Sequence, residues 1–229
     1  MTTPFDYDAD PERFRLATRV TGRHLTSGRT LYQLLAERLA TAGPRRILDV
    51  GCGEGALRAA LPAGLAARTV GLDASATMLG AHPPPVVQAD AAALPFVAGA
   101  FDAAVAVNVL DHLPEPTVAV AEAHRVLAAG GMLVAATASR HDSPELAAVW
   151  RPPPSGFDAE DGPGLVASVF GQVEVQRWDA PLLRLPDREA VRDYLVARFV
   201  APEAAADAAE QVTTPIAITK RGAVLYARK

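Results

Sequence analysis

Residues 45–56 read RRILDVGCGEGA, and this stretch decides the fold. A short apolar run, Ile47 to Val50, carries one carboxylate, Asp49, and then glycine falls at every second position: Gly51, Gly53 and Gly55. Such a run predicts a buried strand that turns sharply, where the backbone must come close to a ligand and adopt angles that a Cβ forbids. A glycine-rich turn between a strand and a helix usually serves phosphate, yet here Asp49 stands at its mouth and Glu54 inside it. The electrostatics favour a ligand that brings positive charge.

Strand-like runs recur downstream: TVGLD (69–73), VVQAD (86–90), FDAAVAVNV (101–109) and MLVAATA (132–138). Helix-like segments separate them, among them EPTVAVAEAHRVLAAGG, which the pattern ends at the Gly130–Gly131 pair. Nearly continuous apolar strands alternating with helices predict an α/β fold, a Rossmann-like and mostly parallel sheet with helices on both faces. Upstream, Leu31, Leu34, Leu35 and Leu39 space a helix over 27–42 that Gly43–Pro44 stops. Beyond Ser139 the chain turns loop-rich around Pro152–Pro153–Pro154. FGQVEVQRWDA (170–180) resumes the sheet, 187–211 reads as one or two helices, and GAVLYARK (222–229) as a closing strand. The whole length, 1–229, is expected to form one domain. It divides into an N-terminal helical cap (1–43), a ligand-binding core (44–138) and a C-terminal completion of the sheet (139–229) with its helical insertion near 187–211.

Composition narrows the classes. The chain has 229 residues, half of them apolar, and a net charge of −4. Basic residues form no stripe along the sequence, which argues against nucleic acid or an anionic membrane as partner. The single cysteine, Cys52, excludes an intrachain disulfide and a cysteine-based zinc site, and no metal is expected. No apolar run nears the ~20 residues of a membrane span, and the acidic, polar start is unlike a signal peptide; a cytoplasmic protein is expected.

Two ligands compete for the glycine turn. GCGEGA can be aligned with a dinucleotide fingerprint, Ala56 taking the third small position and Asp73 the ribose acid. A pyrophosphate, however, would meet Asp49 and Glu54 with nothing to compensate. S-adenosylmethionine, with its sulfonium and amino group, suits the acidic turn.

Five stretches in order, ILDVGCGEG (47–55), VGLDAS (70–75), QADAAALPF with FD (88–96, 101–102), VNVLDHL (107–113) and HRVLAAGGMLV (124–134), make the chain resemble the class I S-adenosylmethionine-dependent methyltransferases. The likeness is to their small-molecule, type 11-like branch. The resemblance implies a seven-stranded sheet with an antiparallel C-terminal strand, and S-adenosylmethionine as cofactor. By the same resemblance Asp49, Gly51, Cys52, Gly53 and Gly55 would form the cofactor turn. Asp73 would accept both ribose hydroxyls, next to Ala74. Asp90 and Ala91 would read the adenine, with Met78 and Leu94 on its faces, and the Asn108 carbonyl would hold the methionine end. Asp73 could equally cap the helix SATML, and Asp90 could be a plain loop acid. Cys52 reads as a small residue in a tight loop.

Methyl transfer to an activated sulfonium is an in-line displacement, so alignment and water exclusion dominate and a base is optional. The candidate base or acid pair is Asp111 and His112, just past the fourth strand. Tyr7, His24 and Trp150 are candidate contacts to a small, partly apolar acceptor, and Tyr194 is grouped with the aromatics expected to close its pocket. The expected partner is that acceptor molecule, in a monomer or homodimer. A noncatalytic cofactor-binding protein and a nicotinamide-dependent oxidoreductase are the alternatives.

Overall fold

A computed structural model describes residues 10–229. They fall into two compact units, one of residues 31–139, 154–177 and 222–229, and one of residues up to 30, 140–153 and 178–221.

The first unit is built on the sheet. Its strands are β1 (Ile47–Val50), β2 (Thr69–Asp73), β3 (Val86–Gln88), β4 (Phe101–Val107) and β5 (Leu127–Ala138), with parts of β6 (Val173–Leu185) and β7 (Ile216–Arg228). The seven-stranded order is β3-β2-β1-β4-β5-β7-β6. β1 pairs in parallel with β2 and β4, β2 with β3, and β4 with β5, whereas β7 runs antiparallel to β5. All four residues of β1 are buried, as a central strand covered on both faces requires. Helices flank the sheet, α2 (Leu31–Ala42) packing on α3 (Ala56–Ala60) and α6 (Pro116–Val126) on α7 (Gly162–Phe170). Two short helices, α4 (Ala63–Ala66) and α5 (Ala76–Leu79), lie before β2 and before β3. Ser75 caps α5, its hydroxyl accepting from Met78 N at 3.1 Å.

One boundary departs from the sequence pattern. The helix expected to run to Gly130–Gly131 ends at Val126, and Leu127 already takes extended angles (φ −74°, ψ 139°). Leu127 pairs with Phe101 and is fully buried, so sheet pairing overrides the helical preference of LAA. The helix expected over 27–42 begins only at Leu31.

The second unit contains α1 (Pro11–His24), α8 (Arg188–Val196) and α9 (Pro202–Glu210), which realise the helical insertion as two helices. Asp10 and Asp187 cap α1 and α8 by accepting from Arg13 N (3.2 Å) and Ala190 N (2.9 Å). Their apolar stripes meet in a core of Val20, Leu183, Leu185, Val191, Leu195 and Ile218. Beside that core lies a buried polar knot. Asp142 accepts from Lys220 Nζ, from Arg221 N (2.7 Å) and from Ser143 Oγ (3.0 Å). The Tyr194 hydroxyl meets both Ser143 Oγ (2.6 Å) and Lys220 Nζ (3.0 Å). Tyr194 is wholly buried, which corrects its placement among the pocket-closing aromatics: its polar tip is spent inside this unit.

Candidate active site

The carboxyl edge of the sheet gathers the motif residues. β1 delivers Asp49, and the chain then bends through Gly51 (φ 65°) and Gly55 (φ 91°), the latter opening α3. At Gly51 the left-handed angle is only half the reason for glycine. A Cβ there would stand 2.3 Å from Val109 Cγ2, so the turn after β4 fills the space that a side chain would need. At Gly55 a Cβ would press on the His82 ring at 3.0 Å.

His82 is a residue that sequence reading missed. Its ring is buried (6% exposed) behind the glycine turn, with Nδ1 2.6 Å from Pro83 O. Carbonyl oxygens only accept, so Nδ1 donates here, and Nε2 is buried without a hydrogen-bond partner among the described residues. A Cβ at Gly71 would lie within 3 Å of both Cys52 Sγ and His82 Nε2, which places the two side chains beside one another under the loop. Cys52 is buried, its thiol makes one weak contact to Gly53 O, and burial raises its pKa, so it is no thiolate nucleophile.

The carboxylates differ in state. Asp49 is 3% exposed and its Oδ2 has no hydrogen-bond partner among the described residues. Burial, and secondarily the charge of Asp73, push its pKa up to about 8. Asp73 is engaged on both oxygens: Oδ2 accepts from Gly53 N (2.8 Å) and Oδ1 from Ser75 N (2.9 Å). It therefore ties the glycine turn to the loop after β2, and Ser75 rather than Asp73 caps α5. Ala74 lies in that loop, its carbonyl accepting from Gln88 Nε2 (3.1 Å). Asp90 spends one oxygen on Ala92 N (2.8 Å), a tight local turn. Ala91 and Leu94 are buried in the main core, and Met78 is 2% exposed.

The turn after β4 forms the other wall. Asn108 takes a left-handed angle (φ 52°), which asparagine tolerates better than most residues, while its N–H still donates to Ala136 O (2.9 Å). A single 3-10 turn, Leu110–His112, follows. Asp111 Oδ2 and His112 Nε2 are 3.9 Å apart, both side chains about one-quarter exposed. Burial raises the Asp111 carboxyl, against the opposing pull of His112. The Ser155 hydroxyl donates to Asp111 O (3.1 Å) and pins this turn from a distant loop.

Of the acceptor-contact candidates, Tyr7 lies outside the described residues. His24 and Trp150 belong to the second unit, His24 ending α1 and Trp150 packing beside that unit's core with the Arg198 guanidinium 5.9 Å from its ring centroid.

Residues 48–135 match the family model described as "Methyltransferase domain". That stretch is a methyltransferase domain, and it spans less than half of the chain. Solved structures share its fold along nearly the whole chain. A methyltransferase of Thermotoga maritima, described as a possible histamine N-methyltransferase, is 18% identical over 97% of this chain and 98% of its own, with a TM-score of 0.63. A methyltransferase of Archaeoglobus fulgidus is 16% identical over 98% and 100%, with a TM-score of 0.56. At these identities the likeness establishes the fold alone. No curated protein matches the sequence. The methyltransferase uses S-adenosylmethionine, and the edge just described fits such a group: a cradle that Cβ atoms would fill, and a buried carboxylate oxygen with no partner, suited to a cation. Among the described residues no helix is long and apolar enough to cross a membrane.

Proposed function

We propose that this methyltransferase acts on a small molecule, with Asp111 and His112 on the acceptor side. In this reading the Asp49 carboxylate answers the positive charge of the cofactor. Gly51, Cys52, Gly53 and Gly55 cradle it, and Asp73 with Ala74 takes the ribose. Asp90, Ala91 and Met78 take the adenine, and Asn108 the methionine end. The cofactor, when bound, supplies the activated methyl group; the chain's own residues bind, orient and exclude water.

The observation that carries the acceptor side is the Asp111–His112 pair on a turn that also packs against the glycine loop, through Val109 and Gly51. A carboxyl raised by burial beside an imidazole is the chemistry of a proton acceptor for a hydroxyl, amine or carbon acid. Tyr7, His24 and Trp150 are proposed acceptor contacts. A cytoplasmic setting and a monomeric or homodimeric state belong to the same proposal.

The test is a screen of amines, phenols and carboxylates scored by S-adenosylhomocysteine release, followed by His112→Asn on the best acceptor. If His112 accepts the proton, turnover falls by roughly 10²–10⁴ with cofactor affinity unchanged. Near-normal turnover removes the general-base role. A screen without any turnover, alongside tight cofactor binding, removes the small-molecule reading.

A further inference from the structure

The opposite, amino-terminal edge of the sheet concentrates positive charge. Arg46 immediately precedes β1 and Arg68 immediately precedes β2. Ile47 is registered with Thr69, and Ile47 N donates to Arg68 O (3.0 Å), so the two arginines stand side by side on neighbouring parallel strands, roughly 5 Å apart in backbone. Like charges at such positions repel. Arg45 adds a third guanidinium. Asp102, at the start of β4, holds the group from below. Its Oδ2 accepts from Arg45 N (3.1 Å) and Arg46 N (3.0 Å), and its Oδ1 from Arg46 Nη2 (3.1 Å). That last bond, chiefly, holds the Asp102 carboxyl below the ordinary range.

Asp102 thus answers Arg46 alone. Arg45 and Arg68 are exposed, and among the described residues neither side chain has a carboxylate partner. These four residues line a cavity of about 500 Å³. Three guanidiniums against one carboxylate leave the described lining with two net positive charges, on a chain whose net charge is −4. Among the described residues no aromatic or aliphatic side chain lines it. The backbone of Arg46 and Arg68 is fixed by hydrogen bonds, so the chain positions that carry these charges are set before any ligand arrives.

We propose that this amino-edge cavity is a binding site for a small diphosphate-bearing anion. Guanidinium forks match phosphate oxygens in pairs, and a dense anion offsets the repulsion among the arginines. The site is separate from the cofactor edge: the six residue steps of β4 from Asp102 to Asn108 span about 20 Å. The diphosphate can come as free pyrophosphate or as the tail of a nucleotide. The described lining offers no ring for a base to stack on, which selects the diphosphate itself.

Calorimetry at low ionic strength, with S-adenosylhomocysteine saturating the cofactor edge, tests this. Sodium pyrophosphate is expected to bind saturably at one site per chain, and ADP no more tightly. Arg45→Ala and Arg68→Ala should each weaken pyrophosphate binding at least tenfold while leaving S-adenosylhomocysteine affinity and the circular-dichroism spectrum unchanged. Absence of saturable binding, wild-type affinity in either variant, displacement by S-adenosylhomocysteine, or a tenfold preference for ADP would each overturn the assignment.

Discussion

Asp49 gives the sharpest prediction because its state is set by burial. Its folded pKa of about 8 stands against roughly 3.9 for an aspartate in an unfolded chain. Between these values the native protein holds a proton that the unfolded chain has lost, so stability declines as pH rises across that window. The limit is about 1.4 kcal/mol per pH unit. The contribution is whole below pH ~4 and gone above pH ~8. In Asp49→Asn no such proton exists. From pH 5 to pH 7 the wild type should therefore lose about 3 kcal/mol relative to the variant, every other group cancelling in the difference. Urea denaturation of the cofactor-free proteins at pH 5, 6 and 7 measures this directly. The same carboxylate should ionise when a cation is seated on it. At pH 7 wild type should then release about 0.9 proton more than Asp49→Asn on binding S-adenosylmethionine, seen as a buffer-dependent calorimetric enthalpy. Parallel stability profiles for the two proteins would refute the reasoning.

Asp73→Ala should weaken cofactor binding roughly thirty- to a hundredfold, about 2–3 kcal/mol, by equilibrium titration. Because Asp73 also ties Gly53 N to Ser75 N, Asp73→Asn, which keeps one acceptor oxygen, should recover part of the loss. Lys220→Met strands the buried Asp142 carboxylate and should cost about 3 kcal/mol in denaturant unfolding, the lower end of such losses because Arg221 N and Ser143 Oγ still donate to it. The double change Asp142→Asn with Lys220→Met should restore most of that stability; a single-variant loss below about 1 kcal/mol would contradict the buried-pair argument.

Much of the sheet was legible because its cues are local. ILDV is apolar throughout and proves wholly buried, and the glycines that follow announce a turn whatever the rest of the chain does. The motifs single out the carboxylates Asp49, Asp73 and Asp90 but say nothing of their hydrogen-bond states. That Asp73 is bonded on both oxygens and Asp49 on one side orphaned depends on neighbours contributed by other loops. His82 carries no signal in LGAHPPPV, since its contacts, Gly55 and Gly71, are tertiary. The end of α6 was misplaced because propensity favours helix through LAA while the pairing of Leu127 with Phe101 is invisible in one dimension. Asp142 and Lys220, 78 residues apart, and the arginines of the amino edge are likewise joined only by the fold.

The contact between Gly51 and Val109 binds the histories of two positions together. A methyl group at residue 51 is forbidden not by its own turn alone but by isopropyl bulk contributed from 58 positions away, so the first substitution in that direction must occur at 109. Mutational paths are therefore ordered: Val109→Ala opens room that Gly51→Ala alone does not have, although the left-handed angle at 51 keeps a residual strain. Residue 109 stands two positions before Asp111, so substitutions on the turn after β4 will register at the glycine turn as well. Libraries that randomise 108–112 should carry position 51 with them, because sign epistasis between the two loops is written into their packing.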